Sequence, residues 1–294
     1  MEPWFAGSVL AVLMCFTCTC YFFRIPDDLR HEGLVEGRWG KPDAEFNWCE
    51  VDYALVAWIA EPVNTLSNIV YVLMPAAFLS MHSATWEVTG LAAINMSIGI
   101  GSFLFHASLR YPMQLLDEIP MLWFGTLLAT GCLRRLGYSD MRLAAAVVAA
   151  IVTVAALVTS QHSILHEVVR GIMTVSFSLA IIMIAWGTTA LVNRLKATLT
   201  DKRRRVAVFA DRLHMAGFVM FVLSVVCWLA DNYYCPVLQN LPYGLPYPHL
   251  HMWWHLLTCA ALYCISVLLH IDDHQASERI EAGFCCFGLP MISL

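Results

Sequence analysis

Hydrophobic runs near 55–80, 88–108, 113–132, 143–160, 165–192, 214–231 and 249–270 follow one another along this chain. Each is near the ~17–25 residues that a helix needs to cross hydrocarbon. The expected fold is all-α and integral to the membrane, a seven-transmembrane helix bundle occupying residues 55–270. An additional N-terminal hydrophobic segment at 5–23 is either a signal peptide, with Cys18 and Cys20 as small residues before a cut, or an extra span. It lacks a basic residue at its start, which weakens both readings. Residues 24–54 then form a polar segment and 271–294 a tail. The composition agrees: 59% of residues are hydrophobic and 13% charged, about half the charge of a soluble domain. The net charge of −5 is spread over loops. No basic groove pattern of the kind that binds nucleic acid is present.

Loop charges orient the bundle. Arg134, Arg135 and Arg142 follow the third helix, and Arg194, Lys196, Lys202, Arg203, Arg204, Arg205 and Arg212 follow the fifth. These loops and the C-terminal tail share one side, while the other side carries almost nothing basic except Arg110. Basic loops stay in the cytoplasm, so the C-terminus is expected there. Residues 24–54 and the loops near 110, 162 and 232–248 then face the lumen or exterior. Cys49 and Cys235 fall on that oxidising side, where disulfides persist. Cys285 and Cys286, beside Phe284 and Phe287, are weak candidates for S-palmitoylation.

The stretch HLHMWWHLL puts His251 and His255 on one face at the start of the seventh helix. GIGSFLFHASL puts His106 near the same end of the second helix, with Ser102 one turn deeper. QLLDE puts Asp117 in the first turns of the third. Ionisable groups within spans are costly and face a cavity or a partner. Three imidazoles with an open fourth position suit a catalytic Zn²⁺. The bland alternative is a pair of interfacial histidines bonded to water or backbone.

His162 and His166 form a second pair at the same spacing, read as structural or supporting, with Glu167 and Arg170 free to pair. Asp231 and Asn232 are either a polar helix end or support for the site. In NWCEVDYALVAWIAE, Asn47, Glu50, Asp52 and Glu61 offer oxygen atoms just before and inside the first helix. The EF-hand spacing is missing. One reading is a solvated acidic loop plus one functional glutamate; the other is a site for Ca²⁺, which takes six to eight oxygen ligands.

WCE at 48–50, IAEPVNTLSN at 59–68, GSFLFH at 101–106, QLLDEIPM at 114–121, DNYYC at 231–235 and HMWWH at 251–255 together resemble the alkaline ceramidases. That family sits in a wider group of seven-helix membrane hydrolases that includes the adiponectin receptors. The resemblance runs from about Trp39 to the end of the seventh helix. It implies a zinc-dependent amidohydrolase that splits ceramide into a sphingoid base and a fatty acid. It implies zinc on His106, His251 and His255, with Ser102 and Asp117 as active-site polar residues. It implies calcium on Asn47, Trp48 (through its carbonyl), Glu50, Asp52 and Glu61, and a Cys49–Cys235 disulfide. Asn47 and Asp52 exchange the family's common acid and amide, leaving the carboxylate count unchanged. Pro62 stands where an aromatic residue is common, and Arg170 where some members have tyrosine.

The expected chemistry is water activation by zinc, proton transfer by Asp117 and a hydrogen bond from Ser102 to the developing oxyanion. Ser102 as nucleophile is disfavoured, since no free histidine base remains. The partners are ceramide and membrane lipids, in an endoplasmic reticulum or Golgi membrane, with the plasma membrane as alternative. A receptor with structural zinc is the competing reading. A transporter would need polar residues through the full membrane depth, whereas these cluster at one side.

Overall fold

A computed structural model describes residues 37–161, 163–197, 201–274, 281–285 and 288–293, the side chains of 201–203 and 293 excepted. The 5–23 run, the first part of the 24–54 segment, His162, Cys286 and Phe287 lie outside these residues.

Pro62 sets the first helix boundary. Proline disfavours helical conformation at the residue before it and suits a helix's first position, where its missing N–H is no loss. Helix α1 (Pro62–Ser67) therefore opens at 62, not 55, and α2 (Val70–Met81) continues it. Residues 55–61 form tight bends with a bridge between Val56 and Ile59. Glu61, expected inside an apolar helix, instead caps α1, its carbonyl accepting the Thr65 N–H at 2.8 Å.

The chain continues through α3 (Trp86–Ser108), α4 (Tyr111–Arg135), α5 (Arg142–Val158), α6 (Ile164–Ala197), α7 (Asp201–Tyr233), the short α8 (Cys235–Leu238) and α9 (Leu250–Asp273). Five rods are long and apolar enough to cross a membrane: α1 with α2, α3, α6, α7 and α9. Helix α5 is apolar but has 17 residues, and α4 carries Asp117, Glu118, Arg134 and Arg135 among its 25. Helices α6 and α7 extend well past their apolar stretches. The basic residues Arg194, Lys196, Lys202, Arg203, Arg204, Arg205 and Arg212 thus sit on helices, not in a loop.

The interior is built from α2, α3, α4 and α9 with the facing ends of α6 and α7, and Phe78, Leu91, Leu128, Leu191, Ala210 and Leu268 are among its buried side chains. Val154 on α5, Ile182 on α6 and Val226 on α7 are exposed, and exposed apolar surface of this kind marks contact with a membrane. Helices α3 and α4 touch backbone to backbone at Gly101, where any Cβ would overlap the Leu116 carbonyl. After α9, strands β1 (Glu281–Phe284) and β2 (Pro290–Ser293) pair antiparallel. Their hairpin docks on the bundle: the Tyr263 hydroxyl donates to the Pro290 carbonyl at 2.9 Å, and the Ile292 N–H to His82 Nε2 at 3.1 Å.

Candidate metal centre

Helix α3 ends at Ser108 and α9 begins at Leu250, so His106 closes one rod while His251 and His255 open another. One ligand atom from each of the three lies within 4.8 Å of the others, and all three side chains are buried. Partners on the far side of two rings determine which nitrogen is free. His106 Nδ1 lies 2.5 Å from Glu61 Oε2. A carboxylate there draws the proton to Nδ1 and leaves Nε2 with its lone pair. His255 Nδ1 lies 2.7 Å from Ser67 Oγ. The Ser67 hydroxyl already donates its hydrogen to the Asn64 carbonyl at 2.8 Å, so it accepts from His255 Nδ1–H. The His255 Nε2 lone pair is again left free. His251 Nε2 lies 3.3 Å from His106 Nε2, while His251 Nδ1 is buried with no partner. Lone pairs facing one another beside an orphaned buried nitrogen are the donor set that a borderline-soft cation such as zinc takes.

The 37–61 segment lies across this end of the bundle. The Ala60 N–H donates to the Ala107 carbonyl at 2.9 Å and the Glu61 N–H to the His106 carbonyl at 3.0 Å. Carbonyls that the end of α3 would leave unsatisfied are thereby paired. Trp48 stacks on His251, with ring centroids 3.6 Å apart. Cys49 is bonded to Cys235, 186 residues on, with Cα atoms 5.2 Å apart. Asp231, at the end of α7, accepts the Cys49 N–H at 3.1 Å, the His251 N–H at 3.3 Å and the Tyr247 hydroxyl. It is thus both helix-end cluster and support.

The close approach at Gly101 presses the Leu116–Asp117 backbone of α4 against α3 and so brings Asp117 beside Ser102. Of the second histidine pair, His166 plays another part. His166 binds Glu45 and lies 3.4 Å from the Tyr111 hydroxyl. Arg170 pairs with Glu45 at 2.8 Å and with Glu118, rather than with the nearby Glu167.

The oxygen-bearing residues are distributed differently from the histidines. Glu50 accepts the N–H groups of Val63 at 2.7 Å and Asn64 at 2.9 Å, satisfying the start of α1. Glu61 accepts the Trp48 N–H at 3.0 Å and Asn47 donates to Asp52 at 3.0 Å. Among the described residues, only the histidine trio brings three ligating side chains of His, Cys, Asp or Glu type together; Glu50, Asp52 and Glu61 do not converge in that way. Their surroundings nonetheless lack positive charge. Burial pushes the Glu50 carboxyl well above its ordinary value, and Glu61 and Asp231 add to it against the Val63 and Asn64 N–H groups. Burial pushes Asp52 up to about 6 against the Asn47 hydrogen bond. Asp52 Oδ1 is buried without a partner. Such a carboxylate set suits a hard divalent cation.

Ser67 and the Trp48 ring have roles that the sequence reading did not assign. Ser67 lies inside the motif IAEPVNTLSN, but its bond to His255 spans 188 residues, and spacing carries no signal at that range.

A family model described as Ceramidase matches residues 40–287. The chain is 29% identical over 259 residues to the alkaline ceramidase YPC1 of Saccharomyces cerevisiae, covering 81% of this chain and 79% of that protein. It is 25% identical over 236 residues to alkaline ceramidase 3 of Mus musculus, covering 76% and 81%. It is 23% identical over 262 residues to an alkaline ceramidase of Drosophila melanogaster, covering 84% and 87%.

Proposed function

This chain belongs to the ceramidase family, and from that premise we propose that it hydrolyses the amide of ceramide with zinc on His106, His251 and His255. The observation that carries the zinc reading is the pairing of His106 Nδ1 with Glu61 and of His255 Nδ1 with Ser67, which directs both Nε2 lone pairs to one place. The chemistry such an ion supplies is Lewis-acid activation of water and of the amide carbonyl.

The chain's own groups do the rest. Asp117 takes a proton from the attacking water as oxygen adds to the carbonyl carbon. It returns that proton to the amide nitrogen as the C–N bond breaks, base first and then acid. Fatty acid and sphingoid base leave. The Ser102 hydroxyl, next to Asp117 where α3 and α4 meet, donates to the carbonyl oxygen as negative charge builds there. One such donor is worth ~3–4 kcal/mol. Glu61 and Ser67 hold their histidines in the metal-binding tautomer.

Calcium is proposed on Asn47, Glu50, Asp52, Glu61 and the Trp48 carbonyl, where it would supply the positive charge that the buried carboxylates lack. Glu61 touches His106, so such an ion would brace the zinc site through one side chain. The proposed topology is seven spans, with the site on the lumenal side of an endoplasmic reticulum or Golgi membrane and the C-terminus cytoplasmic. The division into a 24–54 lumenal segment, a 55–270 catalytic bundle and a 271–294 tail is part of the same proposal.

The test is incubation of purified full-length protein with a panel of ceramides, with and without a chelator. Release of sphingoid base that chelation stops and zinc restores is the expected result. Protein that binds zinc and lipid but releases no base would make it a receptor.

A further inference from the structure

A groove of about 530 Å³ lies between α3, α4 and α5 at the end of the bundle remote from the histidines. Glu87 at its mouth and His106 share α3, so at 1.5 Å per residue the two sites are about 29 Å apart. The walls are apolar, from Leu91, Ile94, Leu127, Leu143 and Ala146. The mouth is polar, from Glu87, Asp140 and Arg142, with the Arg142 guanidinium 5.5 Å from the exposed Trp86 ring. The size falls within the ~300–1,000 Å³ usual for small-molecule sites. One wall, α3, is long and apolar enough to cross a membrane, so a lipid chain can reach these apolar walls.

The mouth selects the head of the occupant. Arg142 grips the Asp140 carboxylate with Nε at 2.9 Å and with Nη2, while Nη1 holds Glu87 at 3.0 Å. Asp140 is exposed and two residues away in a loop, so the fork already presents the geometry of bidentate carboxylate binding. A ligand carboxylate can take the place of Asp140's, which is exposed and can turn to solvent. Arg134 and Arg135 also bind Glu87, so the Glu87 carboxylate keeps partners when Arg142 turns to a ligand. Gly90 lies on the wall, and a Cβ placed there meets nothing within 4 Å.

We propose that this groove binds one free fatty acid, its chain along α3, α4 and α5 and its carboxylate on Arg142. The site is separate from the histidines, and binding there does not depend on the proposed activity, although a fatty acid is one product of that activity.

The test uses purified full-length protein in phosphatidylcholine nanodiscs, photolysed with a diazirine-bearing fatty acid and mapped by peptide. Labelling of residues 86–94 and 143–146, suppressed by excess palmitate, is expected. Gly90→Phe should fill the groove and cut that labelling roughly tenfold or more, with the Cys49–Cys235 disulfide and the unfolding temperature unchanged. Arg142→Gln should weaken palmitate competition roughly tenfold, the worth of one hydrogen bond to a charged group. Suppression by phosphatidylserine but not palmitate would assign the groove to a phospholipid and overturn the proposal. Labelling confined to the peptides carrying His106, His251 and His255, or unchanged in Gly90→Phe, would also overturn it.

Discussion

The two ends of α3 handle buried charge in opposite ways. At the Glu87 end, carboxylates meet arginines of the same chain. Glu87 holds Arg134, Arg135 and Arg142, Asp273 holds Arg135 at 3.0 Å, and Asp272 holds Arg194 at 2.5 Å. At the His106 end, the groups acting on Glu50, Asp52, Asp117 and Asp231 are other carboxylates, hydroxyls, amides and backbone N–H; no lysine or arginine is among them. A buried charge is tolerated only when paired or bound to a metal. One end therefore pairs its carboxylates within the polypeptide, and the other leaves its carboxylates and histidines to the ions proposed for it.

Four substitutions test that contrast. His251→Ala removes one of three ligands and should abolish both hydrolysis and stoichiometric zinc, read by turnover and metal analysis. Full zinc content in this variant would break the contrast outright. Asp117→Asn keeps shape but accepts no proton. Turnover should fall by ~10²–10⁴ with zinc retained, and zinc loss would make Asp117 a ligand. Arg135→Leu at the opposite end leaves Glu87 and Asp273 short of a partner. Breaking a buried pair this way costs ~3–5 kcal/mol, seen as a lower unfolding temperature in detergent, while zinc per folded molecule stays unchanged. The smallest effect belongs to Ser67→Ala, which frees the His255 tautomer. Metal affinity should drop ~10–100-fold, measured by competition with a chromogenic chelator, with thermal stability near normal in excess zinc.

The sequence carried the rods well, because hydrophobic length is a local property that tertiary packing cannot override in a bilayer. The gathering of the three histidines was legible for a related reason. Each sits at a fixed turn of a rod whose end is known, so depth follows from spacing. The 37–61 segment was less legible. Its apolar residues from Leu55 to Ala60 extend the hydrophobic run, but Pro62 ends any helix behind it, and the backbone pairs with the end of α3 instead. Basic residues such as Arg194 and Arg212 read as a loop because charge breaks hydropathy, whereas α6 and α7 continue past their apolar stretches as helices. Ser67 was hidden because a serine's role depends on where its one hydrogen goes, which only the Asn64 carbonyl reveals.

The Cys49–Cys235 link also has a consequence in time. Chains emerge from the ribosome at ~5–20 residues per second. Glu61 meets His106 after 45 more residues, within seconds, but Cys49 waits for a partner 186 residues downstream, roughly 10–40 s at that pace. Throughout that interval the 37–61 segment rests on a half-built bundle with its thiol unpaired and Trp48 without the His251 ring to stack on. An oxidoreductase that guards Cys49 until the last rod is inserted would raise the yield of active protein. Slowed elongation between residues 49 and 235 would lower it.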